Sequence, residues 1–116
     1  MDLENTQSQM RKGILEYCIL CIIENRECYA SDILESMKKA KLIVVEGTLY
    51  PLLTRLKNAG LLSYKWEESK SGPPRKYYDL TTEGQKFIKE LSQTWIELET
   101  AVKIISNANN KLNTKI

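Results

Sequence analysis

The spacing of apolar positions changes period along the 116 residues, and each change marks a predicted element. In MRKGILEYCILCII (10–23) nearly every position from Ile14 onward except Glu16 is apolar. A helix that is apolar most of the way round packs on more than one side. This one is read as packing on its own domain and on a second subunit. Glu24-Asn25-Arg26-Glu27 ends it. Ala30, Ile33, Leu34 and Met37 then recur at i, i+3, i+4, i+7 and predict a helix over 29–39. Ser31 and Asp32 suit its first turn, and Lys38, Lys39 and Lys41 its C-terminal end. The β-branched run Leu42-Ile43-Val44-Val45 fits a brief strand or an extended connection. Leu49, Leu52, Leu53 and Leu56 repeat the helical spacing and predict a third helix over 47–59. Thr48 or Gly47 could cap it, Pro51 belongs near its start, and Gly60 suits the left-handed residue just past its end.

The period then falls to two. Leu62, Tyr64 and Trp66 alternate with Ser63, Lys65 and Glu67, which predicts a strand. Ser69-Lys70-Ser71-Gly72-Pro73-Pro74 reads as a turn, and 75–80 as the return strand. A long helix closes the chain. Thr82 with Gln85 matches a capping box, and Thr81 is an alternative cap. Ile88, Leu91, Trp95, Leu98, Val102, Ile105 and Leu112 occupy a and d positions of a heptad, with Asn109 at the remaining a position. The tail from Asn107 is expected to fray. So long a stripe exceeds what a small domain can cover, so it asks for a partner helix. The predicted fold is mainly α with a small β-hairpin: a winged helix-turn-helix over 1–80 and a C-terminal dimerisation helix over 81–116. Ile14, Cys18, Ile88, Leu91, Trp95, Leu98, Val102 and Ile105 are the expected dimer contacts.

Charge sharpens this picture. The net charge is only +2, but its distribution is uneven. Residues 1–37 carry three Lys/Arg against seven Asp/Glu, residues 38–76 nine against three, and residues 77–116 five against five. The cationic middle is the expected footprint of a phosphate-binding surface. Histidine is absent, which removes the usual general base and metal ligand and leaves no catalytic constellation. No enzyme activity, metal or cofactor is expected. No apolar run reaches the ~20 residues of a membrane span, and the polar start lacks a signal-peptide core. The expected location is the cytoplasm. Cys18 and Cys21 have C-x-x-C spacing but lie in an apolar helix, so core packing is favoured over a thiol or metal site.

Helical geometry assigns the side chains of the third helix. At ~100° per residue its leucines cluster in one arc, with Gly47, Pro51, Thr54 and Asn58 opposite. Recognition helices read base edges with their N-terminal residues. Gly47, Thr48, Tyr50, Pro51 and Thr54 are therefore expected to face the groove, and Arg55 and Lys57 to meet phosphates. Lys70, Gly72, Arg75 and Lys76 are expected at the wing tip, against backbone or minor groove.

Two stretches, GTLYPLLTRLKNAGLL (Gly47 to Leu62) and GPPRKYYDLTTEG (Gly72 to Gly84), resemble the PadR family of transcriptional regulators. The single long final helix resembles its short-chain branch. The resemblance implies a winged helix, a homodimer joined through first and last helices, operator DNA as target, and repression relieved by an effector. It aligns Thr48, Leu49 and Tyr50 with the family's recognition-helix motif, and Gly72, Arg75 and Lys76 with its wing. Pro73-Pro74 departs from the glycine or extra basic residue of many members. Trp95 matches a tryptophan that lines a pore between subunits in multidrug-responsive members, with Tyr17, Leu91 and Ile88 as neighbours. The expected function is a homodimeric repressor relieved by a small hydrophobic or aromatic ligand. The alternative is a winged-helix sensor acting through protein association.

Overall fold

A computed structural model describes Met1 to Thr114, with side chains described as far as Asn107. Helix α1 spans Leu3–Asn25, strand β1 Cys28–Tyr29, α2 Ala30–Lys39, α3 Glu46–Asn58, β2 Leu62–Ser69, β3 Gly72–Leu80 and α4 Thr82–Thr114. The strands form one antiparallel sheet in the order β1-β3-β2. The order of helices and hairpin is the one predicted. Helix α1 starts about three turns before the apolar run at Ile14, because the Asp2 carboxylate accepts from the Glu4 N–H at 3.0 Å and caps it.

The core lies where the three head helices meet the sheet. Ile19, Leu20 and Ile23 of α1 pack with Ile33 and Met37 of α2, and with Leu49, Leu53 and Leu56 of α3. Leu62, Tyr78 and Leu80 close it from the sheet. The leucine arc of α3 is thus spent on the core, which turns the opposite face outward.

Helices α2 and α3 end in the same hydrogen-bond pattern. Leu42 N–H donates to the Met37 carbonyl and Lys41 N–H to Lys38; Leu61 donates to Leu56 and Gly60 to Lys57. These are paired Schellman closures, which need a left-handed residue. Gly60 fills that place after α3 at φ 82°, as predicted, but Lys41 fills it after α2 at φ 63°.

The run 42–45 forms no strand, since no sheet edge lies beside it. The third strand is instead Cys28–Tyr29, paired with Tyr77 and Tyr78 of β3. The hairpin turn is also tighter than expected. Glu67 faces Arg75 and Ser69 faces Gly72, so the turn is Lys70-Ser71, and Pro73-Pro74 stand opposite Glu68 as a bulge. Proline fits there because a bulge does not require its missing N–H.

Thr81, rather than Thr82, caps α4: its hydroxyl accepts from Gly84 N–H at 2.9 Å and donates to the Gly60 carbonyl at 2.6 Å. Gly84 is buried beneath the Leu61 carbonyl, and Ile88 is 1% exposed inside the core. The first turns of α4 therefore belong to the head. Beyond them the helix leaves it. The molecule measures 64 × 30 × 24 Å, with a radius of gyration of 17.5 Å against about 13 Å for a compact chain of this length. Val102 and Ile105 on this rod are 63% and 65% exposed. The helix runs to Thr114 and takes in most of the segment expected to fray. The heptad places assigned to Asn109 and Leu112 lie outside the residues whose side chains are described.

Candidate nucleic-acid interface

Helix α3 begins at Val45, which has no side-chain oxygen and makes no side-chain cap; the Thr48 and Gly47 caps expected from the sequence do not form. Thr48 N–H donates to the Val45 carbonyl at 3.0 Å, so the N–H groups of Glu46 and Gly47 are the ones left to outside acceptors. Pro51 is the sixth residue of the helix, one turn later than expected. Its missing N–H leaves the Gly47 carbonyl without its helical donor, which is tolerable on an exposed face.

Gly47, Pro51 and Thr54 are exposed along the outer face. The flanking residues diverge. Tyr50, 48% exposed, lies on the side of the hairpin. Thr48 lies on the side of α1, beside Arg11 and Leu15. Arg55 also turns toward α1, where its guanidinium pairs with the Glu16 carboxylate at 3.5 Å. Lys57 lies 5.8 Å from the Tyr64 ring centre.

Arg75 and Lys76 are not at the wing tip. They sit along β3, opposite Glu67 and Trp66, while Lys70 lies in the turn and Gly72 directly follows it. The shorter turn moves them inward. Arg75 stacks its guanidinium 3.9 Å above the Tyr29 ring and reaches 3.5 Å from Nη1 to the Ser31 hydroxyl. Lys76 lies 4.5 Å from the Tyr64 ring centre and 5.5 Å from that of Trp66. Such contacts fix the direction of two flexible cations while leaving their charge in solvent.

The result is a hollow of about 400 Å³ between the starts of α2 and α3 and the blade of the wing. It gathers Tyr50, Arg75 and Lys76, which the sequence nominated, with Tyr29, Ser31, Glu46 and Trp66, which it did not. Trp66 is 62% exposed. Its alternation with Tyr64 was the available signal, but the hairpin register is needed to set it beside Lys76. Chemically the hollow offers cations, hydroxyls and aromatic faces next to an uncapped helix start, a combination suited to phosphate and groove contacts.

A second hollow, of about 410 Å³, runs between α1 and α4. Ile14, Tyr17, Leu91, Trp95 and Leu98 line it. The Tyr17 hydroxyl donates to Ser92 Oγ at 3.0 Å, and its ring lies 6.4 Å from that of Trp95. Ile88 is not among these residues. It is a core side chain, so it contributes to neither the expected slot nor the expected dimer face. The heptad stripe enters the head at that point, and the head claims its first member. Cys18 is half-buried on α1.

Burial pushes all three thiols up in pKa, that of Cys28 to about 11. Protonated thiols are poor nucleophiles and ligands. No cluster of potential metal ligands exists among the described residues, and no helix described is long and apolar enough to cross a membrane.

The model of the transcriptional regulator PadR-like family matches residues 19–90, which covers the end of α1, then α2, α3, the three strands and the start of α4. The fold is similar to that of a PadR-like transcription factor from Bacteroides fragilis, at 60% identity over 87% of this chain and 98% of that one, with a TM-score of 0.75. A PadR-like transcriptional regulator from Bacillus cereus shares 38% identity, covers 84% of this chain and 95% of its own, and scores 0.73. A PadR family regulator from Eggerthella lenta shares 29% identity, covers 89% and 90%, and scores 0.78.

Proposed function

The chain belongs to the PadR-like family of transcriptional regulators, and from that premise we propose that it is a homodimeric repressor relieved by a small aromatic or hydrophobic ligand. It carries no catalytic role in this reading and acts in the cytoplasm on double-stranded operator DNA. Helix α3 enters the major groove, with Gly47, Pro51 and Thr54 toward the bases. Tyr50, Arg75 and Lys76 meet the backbone on the wing side. Lys70 and Gly72 extend along the flanking duplex.

One observation carries the DNA reading: the start of α3 and two fixed cations of the wing converge on a single open hollow. An aromatic surface for protein association alone would not need cations held outward on ring faces. The dimer reading rests on the apolar stripe from Leu98 to Ile105, exposed in a single chain. Pairing such rods by a two-fold axis presents two heads to a pseudo-palindromic site, with half-sites one helical turn apart or a multiple of it. The ligand reading rests on the Tyr17–Trp95 groove, which lies between α1 and α4 where the rod leaves the head. A planar molecule held there would shift the angle of the heads.

The test is binding to the protein's own promoter fragment across a salt series. Affinity should fall steeply with salt, because several phosphates are neutralised. Tyr50→Ala and Arg75→Ala should each weaken binding with the dimer intact. Normal binding by both variants would remove this surface from consideration, and binding indifferent to salt would favour the protein-association alternative.

A further inference from the structure

The hollow at the start of α3 holds one carboxylate among the described residues that line it, Glu46. We propose that Glu46 reads a cytosine in each operator half-site, an inference that rests on the DNA-binding reading above. Glu46 is the first residue of α3 and is exposed. It shares the hollow with Tyr50, Arg75 and Lys76. Several other carboxylates of the head are held: Glu16 by Arg55, Glu27 and Glu67 by Lys65, and Asp32 by the Tyr29 N–H at 2.9 Å; Glu4, Glu24, Glu68 and Glu83 are not held among the described residues, but none of them lines this hollow. No ion pair or hydrogen bond holds Glu46 among the described residues.

An anionic side chain here faces the phosphates the surface is otherwise built to attract. Coulomb repulsion makes it a liability for binding any duplex. It becomes favourable only where it accepts a hydrogen bond from a base edge. The major groove offers two such donors, the N4 amino group of cytosine and the N6 amino group of adenine. Adenine sets its N7 acceptor beside N6, which repels a carboxylate; cytosine presents N4 without a neighbouring acceptor on the same base. The position agrees with this role, because recognition helices read bases from their N-terminal residues.

The test is competition binding of wild type, Glu46→Ala and Glu46→Gln against the operator substituted one base pair at a time. Wild type should lose roughly 5- to 150-fold in affinity when the cytosine of a single half-site is replaced. Glu46→Ala should lose that discrimination at that position alone, keep the other preferences and the salt slope, and bind non-specific duplex more tightly. Glu46→Gln should move the preference toward adenine, which an amide can engage at N6 and N7. If both variants keep the wild-type base profile, the inference is overturned. A lower melting temperature with that same unchanged profile also overturns it, and makes Glu46 a residue serving only the helix dipole. Absence of any base preference in wild type would instead sink the operator-specific reading on which the inference rests.

Discussion

Replacing Gly84 by alanine sets two effects of opposite sign against each other. Alanine favours the helix interior over glycine by about 1 kcal/mol, so propensity alone makes Gly84→Ala stabilising. Packing opposes this. A Cβ at residue 84 would overlap the Leu61 carbonyl oxygen and lie 3.1 Å from its carbon and 3.3 Å from Leu80 Cδ2. The first two atoms are backbone and cannot rotate away. Restoring contact distance means moving α4 by roughly 1 Å. That motion strains the bonds that seat the helix, namely Thr81 N–H to the Leu61 carbonyl at 3.1 Å and the Thr81 hydroxyl between Gly60 and Gly84. Overpacking costs about 1–3 kcal/mol and a weakened cap about 1. Against the propensity gain, the net expectation is a destabilisation of about 1–3 kcal/mol. Urea unfolding followed by circular dichroism, at one fixed protomer concentration because dimers gain stability by mass action, measures it. An unchanged or higher midpoint for Gly84→Ala would refute the close approach of α4 to Leu61.

Four further expectations follow from other parts of the molecule. Lys41→Gly should stabilise by about 0.5–1 kcal/mol in the same urea assay, because glycine adopts the left-handed conformation at φ 63° without the Cβ clash; a lower midpoint would show that the lysine side chain contributes more than its backbone strain. Cys28 should react with a thiol reagent at pH 8 on the order of a hundredfold more slowly than a free thiol of ordinary pKa near 8.5. Its raised pKa also means that its contribution to stability is complete below about pH 8.5 and is lost as pH rises through about 11; Cys28→Ser should flatten that alkaline decline, and an identical decline in both proteins would exclude Cys28 as its cause. Ile105→Glu, at an exposed site on the rod, should yield monomer by sedimentation while the head still unfolds cooperatively; a retained dimer would place the interface elsewhere.

Much of the fold was legible because each helix carries its period in its own residues. Leu49, Leu52, Leu53 and Leu56 declare one face of α3 whatever surrounds them. Gly60 was readable for the same local reason. What escaped depends on distant partners. Cys28–Tyr29 becomes a strand only because Tyr77 and Tyr78 pass beside it, while the more β-prone Leu42–Val45 has no edge to join. Pro73-Pro74 reads as a turn by composition, yet the register puts it in a bulge and draws Arg75 and Lys76 away from the tip. Ile88 fits the heptad perfectly in spacing, but the head buries it before a partner can. Glu46 carries no pattern at all, and only its neighbours across the hollow single it out.

The central claim is that two identical heads, held apart by paired rods, engage one duplex at two symmetric places. Hydroxyl-radical footprinting of the purified protein on its own promoter measures this directly. The account predicts two blocks of protection related by a dyad, on one face of the DNA, with centres about one helical turn or a whole multiple apart. A single unpaired block, or protection that ignores sequence, would contradict it.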